Sequence, residues 1–217
     1  MTGSLRTLAR TRSPTRAHGG CGAALAATTH ARPRESLACA VPPDTLAGVS
    51  RSDSSPDESS LIWYFAYGSN MQVATFEGRR GMRPLRRSWG TLKGYRLCFD
   101  LPVGPGERGV ANVIADDCDY VCGVLYLLTL VDMDRLDLTE GVPNGYYGRI
   151  EVEVVESSGS PVRVCTYASS SGSPGRRPSP RYIGLLLEGA REHGLPADYL
   201  ARLQAFELAH DERVQDA

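Results

Sequence analysis

The sequence predicts an α+β fold, a small mixed β-barrel of about six strands with packed helices. Three observations support this fold class. Short apolar segments of strand-like composition follow one another between residues 61 and 169, turn-forming residues separate them, and two helical segments end the chain. This order suits a closed or nearly closed barrel with helices against it.

The chain divides into two parts of different composition. Residues 1–57 are rich in Arg, Ser, Thr, Ala, Pro and Gly and show no periodicity, so we predict a disordered tail. Six arginines and no acidic residue precede Glu35, as in organelle transit peptides, but an unstructured tail or a start codon assigned too far upstream also explains this composition. Residues 58–217 form the predicted globular domain, since one domain of about 150 residues plus an extra segment suits the chain length.

Net charge and cysteine usage restrict the partners and the compartment. The net charge of −1 provides no field to attract nucleic acid, and no apolar run approaches the roughly 18 residues that cross a bilayer. We therefore expect a soluble protein with a small-molecule partner, no nucleic acid and no membrane; a homodimer is one option for its assembly. Cys118 and Cys122 lie four residues apart, but the four histidines are scattered along the sequence and there is no second cysteine pair, so no metal site is expected. The cysteines form no disulfide pattern, which indicates the cytoplasm, or an organelle if residues 1–57 are a transit peptide.

The first predicted strand starts at Leu61 and stops at a Gly-Ser-Asn turn. Its β-branched and aromatic residues are typical of a buried strand. Gly68 has no Cβ, so its peptide can approach a ligand closely, and the turn can direct N–H groups toward an anion or an oxyanion. An ordinary tight turn explains the same residues.

The remaining strands are bounded by turn residues. Asp116-Asp117 marks a turn between two of them, and the strand from Tyr120 to Leu128 is apolar at nearly every position, which predicts burial on both faces. The strands after the first are predicted over residues 93–100, 109–115, 120–128, 146–155 and 161–169.

A short helix is predicted between the third and fourth of these later strands. Thr129 is a plausible N-cap, and Leu130, Met133, Leu136 and Leu138 give it an apolar side. Gly141 can end the helix in the left-handed conformation, which leaves Glu140 at its C-terminal end.

Two helices close the domain after a polar loop. Residues 170–178 are long enough to cover a pocket as a lid. Ser179 caps a helix whose first residue is Pro180 and which stops at Gly194. The last helix is predicted from about 196 to 210.

Several motifs together resemble those of the γ-glutamylcyclotransferases, over residues 61 to 207. They occur in the order found in that family and end with a Gly-Leu-Pro link between the last two helices. The motifs are Tyr64-Phe65-Ala66-Tyr67-Gly68-Ser69-Asn70, Gly123-Val124-Leu125-Tyr126, Leu136-Asp137-Leu138-Thr139-Glu140-Gly141-Val142, Gly145-Tyr146-Tyr147, Tyr167, Pro178-Ser179-Pro180-Arg181-Tyr182 and Gly194-Leu195-Pro196.

The resemblance implies a barrel-cored enzyme that converts a γ-glutamyl amino acid or γ-glutamyl amide into 5-oxoproline and the free amino acid or amine. The substrate's α-amine attacks its own γ-carbonyl, and Glu140 corresponds to the family's catalytic glutamate, the general acid and base. No metal and no cofactor is implied. The positions that correspond to the family's substrate-binding residues are Tyr64, Phe65, Ala66, Tyr67, Gly68, Ser69, Asn70, Tyr147, Tyr167 and Tyr182.

Other interpretations stay open. Tyr146 and the pair Gly148-Arg149 depart from the family pattern and predict a more polar pocket rim, so the leaving amine is undetermined. A non-catalytic protein with the same barrel that binds a γ-glutamyl ligand is the alternative function, although a binder has no need of Glu140. A nucleophilic Ser69 is disfavoured, because the turn lacks the second glycine of a nucleophile elbow.

Overall fold

The computed structural model describes residues 60–210. The predicted tail at 1–57 lies outside the described residues, as do Cys21, Cys39 and the last seven residues of the 58–217 domain. Within the described part, Cys98, Cys122 and Cys165 form no disulfide. Burial raises the pKa of the Cys165 thiol to about 11, as expected for a cysteine that acts as a small core hydrophobe.

Five strands form a closed barrel in the order β1-β3-β2-β4-β5, and helices pack on it. Neighbouring strands are antiparallel except for β5 and β1, which close the barrel as a parallel pair through Tyr64 and Cys165. The predicted α+β barrel is confirmed, with one strand fewer than about six. The strands are β1 (Leu61–Ala66), β2 (Arg86–Pro102), β3 (Gly109–Thr129), β4 (Gly148–Glu156) and β5 (Pro161–Ala168).

The barrel has one strand fewer than predicted because two of the predicted strands form a single element, β3. The predicted strands 109–115 and 120–128 are one continuous element, so the predicted turn at Asp116-Asp117 is wrong. The pairing with β2 nevertheless shifts there: Ala115 pairs with Tyr95 and Tyr120 with Lys93, so only Gly94 of β2 lies opposite residues 116–119. Gly94 has a φ of 77°. Residues 116–119 therefore form a large bulge in β3, which interrupts the pairing of the β2–β3 ribbon without ending the strand.

The helices begin where their capping residues predict. Thr129 accepts a hydrogen bond from the Asp132 N–H at 3.1 Å, and Gly141 ends the first helix with a φ of 69°. Ser179 caps the second helix, which starts at Pro180. The third ends earlier than predicted. The helices are α1 (Leu130–Glu140), α2 (Pro180–Glu192) and α3 (Ala197–Gln204).

The predicted apolar side of α1 is only partly buried. Met133 and Leu136 are fully buried, whereas Leu130 and Leu138 are 41% and 69% exposed. Within residues 60–210, no helix is long and apolar enough to span a bilayer.

Two short helical segments lie between β1 and β2. Residues 69–71 form a turn of 3-10 helix after β1, and residues 74–79 form a short π-helical segment.

The predicted lid at 170–178 is hydrogen-bonded to β2 and to the loop that follows it. The Ser173 N–H donates to the Asp100 carbonyl at 2.7 Å, and the Arg177 N–H donates to the Glu107 carbonyl at 2.8 Å.

Candidate active site

The parallel pairing of β1 and β5 brings the carboxyl ends of both strands to one end of the barrel. The chain enters the segment Tyr67–Asn70 directly after β1, and Tyr167 is the penultimate residue of β5. The Tyr67 hydroxyl donates to the Tyr167 carbonyl oxygen at 2.6 Å. Two predicted site segments that lie 100 residues apart in sequence therefore meet.

Gly68 allows the turn after β1 to pack closely against α2. The Met71 N–H donates to the Gly68 carbonyl at 3.0 Å and so closes the turn. A Cβ on Gly68 would lie 3.1 Å from the Tyr182 hydroxyl and 3.3 Å from the Ala111 Cβ, which is closer than ordinary contact. The absence of a side chain thus lets Tyr182 reach the turn.

Asn70 connects the turn to the predicted catalytic glutamate. Its Nδ2 donates to Glu140 Oε1 at 3.0 Å and to the Tyr64 hydroxyl at 2.9 Å. Glu140 is the last residue of α1, and its side chain is only 12% exposed. The Asn70 Oδ1 atom is buried and accepts no hydrogen bond from the described residues. A buried amide oxygen without a donor is costly, typically about 1–3 kcal/mol, and such atoms often face a ligand.

Arg80 forms an ion pair with the same glutamate. Its Nη1 lies 3.0 Å from Glu140 Oε1, and it also donates to the Thr139 hydroxyl at 2.6 Å. Because both partners are mostly buried, this pair is screened less than a surface ion pair. Asn70 and Arg80 both contact Oε1 of Glu140, and neither of these two contacts involves the second carboxylate oxygen, Oε2.

Tyrosine hydroxyls surround the glutamate. The Tyr147 hydroxyl donates to the Ala111 carbonyl at 2.5 Å, and the Ala111 N–H donates to the Tyr182 hydroxyl at 3.2 Å. Burial raises the pKa of each cavity tyrosine above its ordinary value of 10.0, and the negative charge of Glu140 is the next cause at Tyr64. These hydroxyls therefore stay protonated near neutral pH. The hydroxyls of Tyr67, Tyr147 and Tyr167 donate to protein acceptors, whereas those of Tyr64 and Tyr182 accept hydrogen bonds and keep their own proton for a ligand. The tyrosines are Tyr64, Tyr67, Tyr147, Tyr167 and Tyr182.

Asp137 holds one of these tyrosines in place. It lies one helical turn before Glu140, so the two carboxylates share a face of α1. Asp137 Oδ1 accepts hydrogen bonds from the Tyr167 hydroxyl and from Arg149 Nε, both at 2.7 Å. Arg149 also pairs with Asp134 at 2.8 Å. The aspartate charge is thus neutralised by Arg149, and Glu140 is left as the carboxylate of the cavity.

A second set of contacts supports the turn from behind. The Tyr126 hydroxyl lies within hydrogen-bond distance of the carbonyl oxygens of Asn70 and Met71, at 3.3 and 3.2 Å, and 3.1 Å from His193 Nε2. Gly189 of α2 lies so close that a Cβ there would be 2.5 Å from the Gln72 nitrogen. The position of Asn70 is therefore set by β3 and α2 as well as by β1.

Two adjoining cavities follow from this arrangement. The inner cavity, of about 30 Å³, contains Glu140, Asn70, Ala111 and the tyrosines. The outer cavity, of about 580 Å³, shares only Ser69 and Tyr182 with it. The outer cavity is further lined by Thr75, Arg79, Arg80, Val103, Arg108, Gly109, Val110, Thr139, Ser179, Arg181 and Leu185.

The structure brings together eight of the ten predicted substrate-binding positions with Glu140. Phe65 and Ala66 do not line either cavity, because both side chains are fully buried in the core. In the inner cavity, sequence reasoning missed Ala111; Arg80, which contacts Glu140, and Asp137, behind Tyr167, were also missed, as were the other residues that line only the outer cavity. Only Asp137 has a sequence signal, its spacing of three residues from Glu140 on a predicted helix.

The departures from the family pattern lie away from the cavities. Tyr146 is 67% exposed, and Arg149 is engaged by Asp134 and Asp137. Residues 170–178 line neither cavity, whereas the segments 71–90 and 101–108 both contribute to the outer one. Among residues 60–210, no group of three or more His, Cys, Asp and Glu residues is arranged to hold a metal ion.

Comparisons with known proteins identify the family of this chain. The AIG2-like family model matches residues 120–203, which include Glu140 and three cavity tyrosines. Human gamma-glutamylcyclotransferase is 31% identical over 156 residues, covering 70% of this chain and 81% of the human protein. The gamma-glutamyl cyclotransferase gliK of Claviceps purpurea is 36% identical over 144 residues, covering 61% of this chain and 64% of the fungal protein. A solved gamma-glutamyl cyclotransferase structure superposes with a TM-score of 0.62 at 28% identity, over 70% of this chain and 91% of that one.

Barrel and site together define an enzyme of the cyclotransferase class, with one carboxylate in a tyrosine-lined cavity. The human relative exceeds 30% identity over most of its length. The chain belongs to the γ-glutamylcyclotransferase family.

Proposed function

We propose that this enzyme cyclises a γ-glutamyl compound and so releases 5-oxoproline and a free amine. The observation that carries the proposal is the buried Glu140 carboxylate, held through one oxygen by Asn70 and Arg80 at 3.0 Å each. Among residues 60–210, the same residue is the only acidic side chain that lines the inner cavity. Family membership supports the reaction class.

The reaction needs one group that moves protons. The substrate's α-ammonium gives one proton to Glu140, and the amine nitrogen then forms a bond to the γ-carbonyl carbon. Glu140 passes this proton to the leaving nitrogen as the bond from that carbon to the leaving nitrogen breaks. The ring nitrogen gives up its second proton through Glu140 to the released amine, which departs as an ammonium ion. We assign the transfer to Oε2, since the Asn70 and Arg80 contacts are made to Oε1. Such positioned acid–base catalysis typically contributes about 10²–10⁴-fold in rate.

Ring closure also depends on the fold of the glutamyl chain. The amine and the carbonyl belong to one molecule, and well-oriented intramolecular reactions reach effective molarities of about 10⁵–10⁸ M. Asn70 Oδ1, buried beside Glu140 without a donor, is placed to accept from the α-ammonium. Its role would be to hold the amine next to its base.

The remaining polar groups suit the negative charges of the reaction. The hydroxyls of Tyr64 and Tyr182 stay protonated because burial raises the pKa of both, and in the hydrogen bonds with Asn70 and the Ala111 N–H they act as acceptors. Together with the backbone N–H groups of the turn at Gly68 and Ser69, they offer donors for the α-carboxylate and the developing oxyanion. Neither the proton transfers nor the ring closure requires a metal or a cofactor.

The test is release of 5-oxoproline by the full chain from γ-glutamyl dipeptides, glutathione and γ-glutamyl amines. We expect Glu140→Gln to lower kcat by about 10²–10⁴-fold with the fold intact. Glu151→Gln is the matched control, because Glu151 is exposed on β4 and lines neither cavity. It should keep the wild-type rate.

Two results would overturn parts of the proposal. A fully active Glu140→Gln variant would remove Glu140 from proton transfer. No release from any substrate by the wild type, combined with measurable binding of a γ-glutamyl ligand, would support the alternative of a non-catalytic binding protein.

A further inference from the structure

The outer cavity is strongly cationic. Four arginines line it, Arg79, Arg80, Arg108 and Arg181, and its lining includes no Asp or Glu. They come from three separate parts of the chain: the π-helical segment and the residue after it, the residue before β3, and the first turn of α2. This concentration contrasts with the net charge of −1 for the whole protein.

Three of these arginines are not neutralised by the protein. Arg80 pairs with Glu140, but within residues 60–210 neither Arg79, Arg108 nor Arg181 lies in an ion pair. Arg177, which forms a β-bridge with Arg108, is by contrast paired: it contacts Glu107 and Glu207 at 3.2 Å each. The positive charge of the cavity is therefore available to a ligand.

A second, independent observation concerns the guanidinium group of Arg108. Its Nε atom is buried, and it donates no hydrogen bond to any described residue. Burying a donor of a charged group without an acceptor is costly. A carboxylate in the cavity would satisfy this donor and would bind the planar guanidinium in the geometry that Arg and carboxylate share.

The position of the cavity indicates which part of a substrate it receives. It adjoins the inner cavity at Ser69 and Tyr182, and Arg80 contributes to the outer lining while contacting Glu140 at 3.0 Å. The inner cavity of about 30 Å³ has room for only one or two water molecules, so a glutamyl group that reaches Glu140 also occupies the adjoining part of the outer cavity. The group beyond the scissile amide then extends further into the outer cavity. The N-terminus of α2 lies there as well, and its helix dipole also favours negative charge.

We propose that the outer cavity is the leaving-group subsite and selects γ-glutamyl compounds whose leaving amine carries carboxylates, with a dicarboxylic amine preferred over a monocarboxylic one. This inference rests on the proposed function, which supplies the position of the scissile amide. Arg108 and Arg181 are the specificity-determining residues, and the volume of about 580 Å³ leaves room for a leaving amino acid beside the glutamyl chain.

The experiment compares kcat/KM for substrates of matched size and different charge. These are γ-glutamyl-glutamate against γ-glutamyl-glutamine, and γ-glutamyl-alanine against γ-glutamyl-alaninamide. Each lost carboxylate should lower kcat/KM by about 10-fold or more, as expected for one charge-assisted hydrogen bond. In Arg108→Gln and Arg181→Gln the glutamate preference should fall toward one. Arg191→Gln removes the same charge from an exposed position on α2 and should leave the preference unchanged.

A binding measurement separates this inference from the cyclotransferase proposal. Titration calorimetry with free L-glutamate and L-glutamine, which are the two leaving amines, needs no turnover. Tighter binding of glutamate that is lost in Arg108→Gln supports the subsite even if no substrate reacts. Equal kcat/KM across the panel, unaffected by either arginine variant, would overturn the subsite and leave the cyclotransferase in place.

Discussion

Replacing Gly189 with alanine tests whether α2 sets the position of the catalytic turn. A Cβ at residue 189 would lie 2.5 Å from both the Gln72 nitrogen and the Met71 carbonyl carbon. Ordinary contact begins at 3.4 Å, so helix and turn must separate by about 0.9 Å. Both neighbours are backbone atoms, and they follow Asn70 directly in the chain. The strain therefore reaches the residue that contacts Glu140.

A displacement of about 1 Å at a reacting centre typically costs about 10²-fold in rate. We therefore expect Gly189→Ala to lower kcat by about 10²-fold, and overpacking to reduce the free energy of unfolding by about 1–3 kcal/mol. The assays are 5-oxoproline release and urea unfolding of the full chain.

Gly184 provides the matched control on the same helix. A Cβ there meets nothing within 4 Å. Alanine is a better helix former than glycine, so Gly184→Ala should raise the free energy of unfolding by about 0.5–1 kcal/mol and leave kcat unchanged. If Gly189→Ala behaves like Gly184→Ala in both assays, the close packing of α2 on the turn does not position Asn70, and the reasoning is refuted.

Two further predictions concern the end of α1 and the support behind the turn. Gly141 and Gly145 have φ values of 69° and 71°, but only at Gly141 would a Cβ meet a neighbour, the Tyr146 ring at 2.7 Å. Both alanine variants should lose about 1–2 kcal/mol of stability, and only Gly141→Ala, next to Glu140, should lower kcat; equal activities would contradict this. Burial lowers the pKa of His193 from 6.5, and the charge of Arg87 adds to this. Because the unfolded chain then binds more protons, His193 stabilises the fold above pH 6.5 and that stability is lost as pH falls. The free energy of unfolding, measured with urea at a series of pH values, should therefore decrease less steeply with falling pH in His193→Gln than in the wild type. Identical slopes would exclude His193 as the source of this pH dependence.

Local sequence signals predicted the parts of the fold that depend on neighbouring residues. Thr129, Ser179 and Gly141 set helix ends by contacts with the next few residues, and the structure confirms all three. The turn at Asp116-Asp117 was wrong for a physical reason. Acidic residues favour turns, but a bulge opposite Gly94 accommodates the same residues without ending the strand, and the pairing partner cannot be known from the local pattern.

The candidate site shows the same division. The turn Gly68–Asn70 and the tyrosines were found through motifs, and the structure places them around Glu140. Phe65 and Ala66 share that motif because they build β1, with side chains in the core. Arg80 and the arginines of the outer cavity had no sequence signal. Their meeting depends on how the 74–79 segment, β3 and α2 pack together, and these lie far apart along the chain.

The parallel contact between β1 and β5 also ties catalysis to the order in which the chain folds. The antiparallel pairs β2–β3 and β4–β5 form between strands that are consecutive in the chain, whereas Tyr67 and Tyr167 must meet across 100 residues. Such distant contacts are slow to form, because the entropy of closing a long loop is lost before the contact is gained. The barrel is complete only with the pairing of β1 and β5, which brings the segment Tyr67–Asn70 next to Tyr167. A nascent chain that has folded its hairpins but not yet closed the ring thus contains every residue of the site and no active centre.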